Sequence, residues 1–235
     1  MWRFWCLMAL GSPLTGSCGQ GVYESGERPE TAFEKGLEVD PSVLPIVFVH
    51  GFAGKTMINL STLTGWFEDD GWPAGYLHTY NYDSFSGVIG AASRLATEIE
   101  AVLERTGAAQ VDIVAHSMGG LVARFYLNHL FEFRADGQNP VRRTVTLGAP
   151  HAGTNWAYTC GFLQSCRDMQ PGSRLLEEEV GGCAGVLSIW SSCDEIVLPN
   201  RSAVCGEPSW RVGCLEHLAL CWSWPVYEVI REYLR

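Results

Sequence analysis

Continuous apolar runs rich in β-branched residues alternate along this chain with stretches whose apolar positions recur every three or four residues. The first run, Pro45-Ile46-Val47-Phe48-Val49, ends at His50-Gly51 and reads as a strand buried on both faces. Residues 76–82 predict a second strand. Val88, Ala92, Leu95, Ile99 and Val102 then repeat at helical spacing, with Arg94, Glu98, Glu100 and Glu104 on the opposite face, an amphipathic helix closed by Gly107. Residues 111–115 predict a third strand, followed after Ser117 by an apolar helical run over 121 to about 131. Strands follow at 143–147 and 186–190, with a short one at 210–212 and a last helix at 226–234. Such alternation predicts an α/β fold: a central, mostly parallel sheet of about six strands with helices on both faces. Residues 152–185 are rich in Gly and Cys with weak periodicity, and read as a loop-dominated excursion over the sheet's carboxyl edge. Neither an internal repeat nor an interdomain linker is evident, so residues 44–235 are expected to form a single domain. Residues 21–43, polar and bearing Pro and Gly, read as a surface lead-in.

Composition narrows the partners. With 235 residues, 47% hydrophobic and 18% charged, the chain is long enough to bury a sizeable core. Its formal net charge of −10 opposes binding to nucleic acid or an anionic membrane, and is compatible with an uncharged ester or lipid. Residues 1–20 carry Arg3, the apolar stretch from Phe4 to Leu10, then small and turn-forming residues, the order of a secretory leader. A buried N-terminal helix is the alternative. Thr15-Gly16-Ser17-Cys18 also resembles a lipoprotein cleavage box, with Thr15 where Leu is usual. Seven of the nine cysteines fall between 160 and 221 without paired metal-site spacing, so disulfides and an exported, extracytoplasmic protein are expected. Cys160 with Cys166 is placed to close a short loop, and the odd count leaves one cysteine over or bound to Cys18 or another chain.

The strongest chemical signal is Ala115-His116-Ser117-Met118-Gly119-Gly120 at the end of the 111–115 strand. A serine hydroxyl attacks acyl carbon only when a base takes its proton and the backbone presents it. A tight strand-to-helix turn does the presenting, with small residues two before and two after the serine. Ala115 stands where Gly is usual and is still small. His50-Gly51-Phe52-Ala53-Gly54, at the end of an earlier strand, is placed to supply one backbone N–H to a developing oxyanion from Phe52, with Met118 supplying the other. Base and acid should follow the serine. His217, just before the last helix, is the base candidate, with His151 as rival; Asp194, after the 186–190 strand, is the acid candidate, with Asp168, Glu195 and Glu216 as alternatives. His50, Gly51, His116, Trp66 and Trp156 are candidate substrate contacts near the motif loops. Glu177-Glu178-Glu179 reads as a solvated helix face, and no cluster has metal-ligand spacing, so neither metal nor cofactor is expected.

Taken with Gly148-Ala149-Pro150-His151-Ala152-Gly153-Thr154, Cys166-Arg167-Asp168-Met169-Gln170-Pro171-Gly172-Ser173, Cys193-Asp194 and Glu216-His217-Leu218, these motifs resemble the small bacterial triacylglycerol lipases of the class 2 type. The elbow is similar to that of the minimal, lidless lipases, and the likeness spans roughly 44 to 234. It implies an α/β-hydrolase fold, Ser117 as nucleophile, Asp194 as acid, His217 as base, and Phe52 and Met118 as oxyanion donors. Glu216 stands where the family often has Gly. The expected activity is hydrolysis of carboxylic esters of lipids by a monomer that meets a lipid–water interface transiently. A thioesterase or an acyltransferase would use the same residues; a non-catalytic envelope protein on a hydrolase scaffold is the reading from another class.

Overall fold

The computed structural model describes residues 43–54, 60–131 and 137–235; the expected leader and nearly all of the lead-in lie outside them. Six strands form one sheet: β1 (Ile46–Val49), β2 (Leu77–Tyr80), β3 (Val111–His116), β4 (Val141–Leu147), β5 (Val186–Ser191) and β6 (Ser209–Val212), in the order β2-β1-β3-β4-β5-β6. Every neighbouring pair is parallel.

The continuous apolar runs reflect burial on two faces. Val47, Val49, Ile113 and Ala115 point into one core with α2 (Val88–Thr106) and α3 (Met118–His129). Their neighbours Ile46, Phe48 and Val114 point into a second core with α1 (Ser61–Asp69) and α5 (Trp224–Leu234). Side chains alternate across a strand, so only a sheet covered on both sides buries all four residues of β1. Each such side chain contributes on the order of 1.5–3 kcal/mol.

Helices α2 and α5 follow their predicted periodicity. Gly107 ends α2 in the left-handed conformation at φ 68°, its N–H donating to the carbonyl of Leu103. The expected helix at 121–131 starts three residues earlier, because Met118, Gly119 and Gly120 already form the first turn of α3. Helix α1 was not legible: Ser61-Thr62-Leu63-Thr64-Gly65-Trp66 is poor in helix formers, and packing of Leu63 and Phe67 on the core holds it. The 152–185 excursion contains a 3₁₀ turn (Asn155–Cys160), a short α4 (Gln164–Asp168) and a π turn (Leu175–Glu179), on which Glu177 and Glu178 are exposed as expected.

Near the amino ends of the strands, buried Asp112 on β3 accepts from Arg142 at 3.1 and 2.6 Å and from the Arg143 N–H at 3.1 Å. Burial pushes its carboxyl above the usual range, opposed by Arg142. Arg142 also donates to the Leu234 carbonyl, tying the end of α5 down. The carboxyl ends of the strands are left to carry the loops.

Candidate active site

Ser117 sits between β3 and α3 with φ 55° and ψ −132°, a backbone conformation costly for a residue with a Cβ. The turn is held by the Ser117 N–H donating to the Leu147 carbonyl at 2.9 Å and the Gly120 N–H donating to the Ser117 carbonyl at 2.9 Å. Small neighbours are a steric requirement. A Cβ on Gly119 would stand 2.5 Å from the Val49 carbonyl oxygen and 2.6 Å from that of His50. A Cβ on Gly51 would meet the Ser117 Cβ at 2.5 Å, so this glycine admits the nucleophile candidate itself.

His217, on the loop between β6 and α5, is buried and donates through Nδ1 to Asp194 Oδ2 at 2.7 Å. Asp194, just beyond β5, is buried too, and its Oδ1 accepts from the Ile196 and Val197 N–H groups at 2.9 and 2.8 Å. This carboxylate is therefore fixed as an acceptor, and it selects the His217 tautomer whose Nε2 is free to take a proton. Ser117 and His217 line one open pocket of about 750 Å³, together with Phe52, Pro150, Thr154, Trp156, Met169, Ile196, Val197 and Leu218. Among the described residues, Glu195 is the only carboxylate in that lining. The disulfide Cys193–Cys214 and the hydroxyl of Ser191, which accepts from the Leu215 N–H at 2.9 Å and donates to its carbonyl at 2.6 Å, join the Asp194 loop to the His217 loop.

The competing assignments resolve physically. Asp168 accepts from the Val88 N–H at 2.8 Å and so caps α2, while Glu216 is exposed. His151 is buried outside the pocket with Nε2 3.0 Å from Thr146 Oγ1; burial, then Arg124, pushes its pKa down to about 3. Glu195 receives the His217 backbone N–H at 2.9 Å instead of its ring.

Of the expected substrate contacts, Trp156 lines the pocket, and Gly51, Trp66, His50 and His116 do not. Trp66 packs against Trp224 and Tyr227 at 5.3 Å, because α1 turns it toward α5 on the far core. His50 stacks on Tyr82 at 4.3 Å and donates through Nδ1 to the Gly51 carbonyl. His116 is completely buried behind the elbow, where a strand-end side chain points away from the loop that presents Ser117. Phe52 lies in the lining, edge-on to Phe85 and Trp156 at 5.2 and 5.8 Å. The Met118 side chain is buried in the α2/α3 core, and its backbone opens the first turn of α3. Sequence reading missed Gly148, whose φ is 54° and where a Cβ would stand 3.0 Å from Asp194 Oδ2 and 3.2 Å from His217 Nδ1. A glycine directly after a buried strand was the available signal.

Cys160–Cys166, Cys183–Cys205 and Cys193–Cys214 are disulfide-bonded, and Cys221 is free and buried. Three such bonds fit an oxidising, extracytoplasmic compartment. Among the described residues no three His, Cys, Asp or Glu side chains are grouped to hold a metal.

A six-stranded parallel sheet with a strained serine turn, and an Asp–His pair on the loops after β5 and β6, define the α/β-hydrolase fold. Within it, the chain belongs to the class 2 lipase family, whose model matches residues 43–219. It is 27% identical over 133 residues to a triacylglycerol lipase of Pseudarthrobacter phenanthrenivorans, covering 54% of this chain and 38% of that one. Identity and the share of this chain are the same for a triacylglycerol lipase of Burkholderia plantarii, of which 34% is covered. The match thus spans little more than a third of these relatives. In fold, the chain is similar to the mature Bacillus licheniformis lipase BlEst2, with TM-score 0.64, 16% identity, and 84% and 94% of the two chains covered. Aspergillus fumigatus lipase B gives TM-score 0.59 at 16% identity, covering 80% and 52%.

Proposed function

We propose that this protein is a serine hydrolase cleaving carboxylic esters of lipids, with Ser117 as nucleophile, His217 as base and Asp194 as the carboxylate that orients it. The observation carrying the reading is the buried 2.7 Å His217–Asp194 hydrogen bond in a pocket shared with a strained Ser117. His217 Nε2 takes the hydroxyl proton as Ser117 Oγ attacks the ester carbonyl, and the backbone N–H groups of Phe52 and Met118 receive the oxyanion. The imidazolium gives its proton to the leaving alcohol. Water, deprotonated by His217 in turn, then releases the acid from the acyl-enzyme.

The predominantly apolar lining suits an acyl chain. Next to it, Phe85, Tyr158, Phe162 and Leu198 are exposed large apolar residues, Phe162 at 79%. They adjoin pocket residues: Phe85 touches Phe52, while Tyr158 and Phe162 follow Trp156 on one segment and Leu198 follows Val197. Exposed apolar rims of this kind meet apolar surfaces, and a transient lipid–water contact by a secreted monomer belongs to the same reading. Residues 1–20 as a cleaved leader, followed by a lead-in at 21–43 and a catalytic domain over 44–235, complete it.

The test is Ser117→Ala, which is expected to abolish hydrolysis of p-nitrophenyl esters and labelling by a fluorophosphonate while leaving thermal unfolding intact. Full activity in that variant refutes the assignment. Thioester substrates and added alcohols, run beside the esters, separate hydrolase from thioesterase and acyltransferase.

A further inference from the structure

The base is held by more than Asp194. Both backbone polar groups of residue 217 end on a side chain from another segment. His116 Nε2 donates to the His217 carbonyl at 3.1 Å, and Glu195 Oε2 accepts from the His217 N–H at 2.9 Å. One partner immediately precedes Ser117 and the other immediately follows Asp194. The peptide of the base is thus strung between the nucleophile's turn and the acid's turn.

The chemistry of His116 fits a fixed donor. It is fully buried, its Nδ1 finds no hydrogen-bond partner, and its ring lies 4.6 Å from that of His217, tilted by 48°. A carbonyl accepts only from an N–H, so the ring carries its proton on Nε2. Burial, with the neighbouring His217 next, holds its pKa well below the ordinary histidine range, so that donor stays neutral. A neutral ring beside the base opposes a forming imidazolium less than a second positive charge would. No part of the mechanism above uses this ring, and the pocket does not expose it.

We infer that His116 and Glu195 are positioning residues that clamp the His217 peptide from opposite sides, fixing the imidazole relative to Ser117 through the main chain. The clamp rests on the reading of His217 as base. It acts where small displacements matter, since a shift of about 1 Å at a reacting group costs as much as roughly 100-fold in rate.

Four variants, His116→Leu, His116→Gln, Glu195→Leu and Glu195→Gln, test it on a short soluble ester, with melting temperatures recorded for each. His116→Leu removes the donor and should lower kcat about 10- to 100-fold with KM changed less than about twofold. Glu195→Leu, on an exposed residue, should lower kcat about tenfold. The Gln variants restore a donor at 116 and an acceptor at 195, and each should recover most of the loss of its Leu counterpart. A second readout needs no substrate: the low-field proton of the His217–Asp194 hydrogen bond, seen by NMR, should broaden or exchange faster in both Leu variants. Folded Leu variants with unchanged kcat and an unchanged low-field proton overturn the clamp, and so does a loss that Gln does not restore at either position. If His116→Leu does not fold, the Glu195 pair decides alone. Failure of the parent reading looks different, because the Ser117→Ala variant would then hydrolyse esters as fast as the unaltered protein.

Discussion

Several side chains here are fixed by what surrounds them more than by their type. Six histidines are spread along the chain, and the fold gives them unlike tasks. His217 meets a carboxylate, His116 a carbonyl, and His151 a threonine hydroxyl in a buried setting. His151 makes a specific prediction. Its folded pKa, about 3, lies below the ordinary 6.5, so the unfolded chain binds the extra proton between those values. Its contribution to stability is present above about pH 6.5 and is lost progressively as pH falls toward 3, by an amount on the order of a few kcal/mol. Melting temperatures of the parent and His151→Gln, followed from pH 7 to pH 4, should converge as the pH drops. Parallel curves would contradict the assignment. The same residue scale shows what a sequence motif can carry. Ser117, Asp194 and His217 were legible as candidates because chain order and strand ends restrict where a nucleophile, an acid and a base can stand. Trp66 and His116 lie outside the pocket lining, because closeness to a motif along the chain does not say which way a side chain points.

At the scale of elements, the loops after β5 and β6 act as one unit. Cys193 precedes Asp194, Cys214 lies three residues before His217, and their disulfide closes a loop of 21 residues' separation. Ser191 bonds both polar groups of Leu215 across the same gap. Closing a loop of that size is worth about 3 kcal/mol through the unfolded chain. Under the proposed function the link also sets the Asp–His geometry, so its removal should reach beyond stability. The double variant Cys193→Ser/Cys214→Ser is expected to lose more kcat, assayed well below its melting temperature, than Cys183→Ser/Cys205→Ser, whose bond lies away from the pocket lining. Equal losses would make the bond purely a matter of stability. The pairing itself was out of reach of the sequence, since cysteine spacing admits many connectivities; only the short Cys160–Cys166 loop suggested itself. Helix α1 escaped for a related reason. Its stability comes from Leu63 and Phe67 settling on a core built by distant segments.

For the whole molecule, the placement of apolar surface matters most. Two cores flank the sheet, yet Phe85, Tyr158, Phe162 and Leu198 remain outside them, next to pocket residues. If they meet lipid, Phe162→Ser with Tyr158→Ser should reduce activity on an emulsified long-chain triacylglycerol severalfold, with little effect on a monomeric short-chain ester. Rates measured on both substrates check this; equal loss on both removes the surface role. A net charge of −10 predicts in addition that vesicles of anionic lipid bind less well than neutral ones.

The sequence alone determined the alternation of strands and helices, the burial of the sheet on both faces and the order of the three candidate residues, because hydrophobic periodicity and motif spacing are local properties. Only the tertiary structure decided which acid meets His217, which cysteines pair, and which side chains face the pocket. Those outcomes depend on distances between segments far apart in the chain, and such distances exist only once the two cores have closed around the sheet.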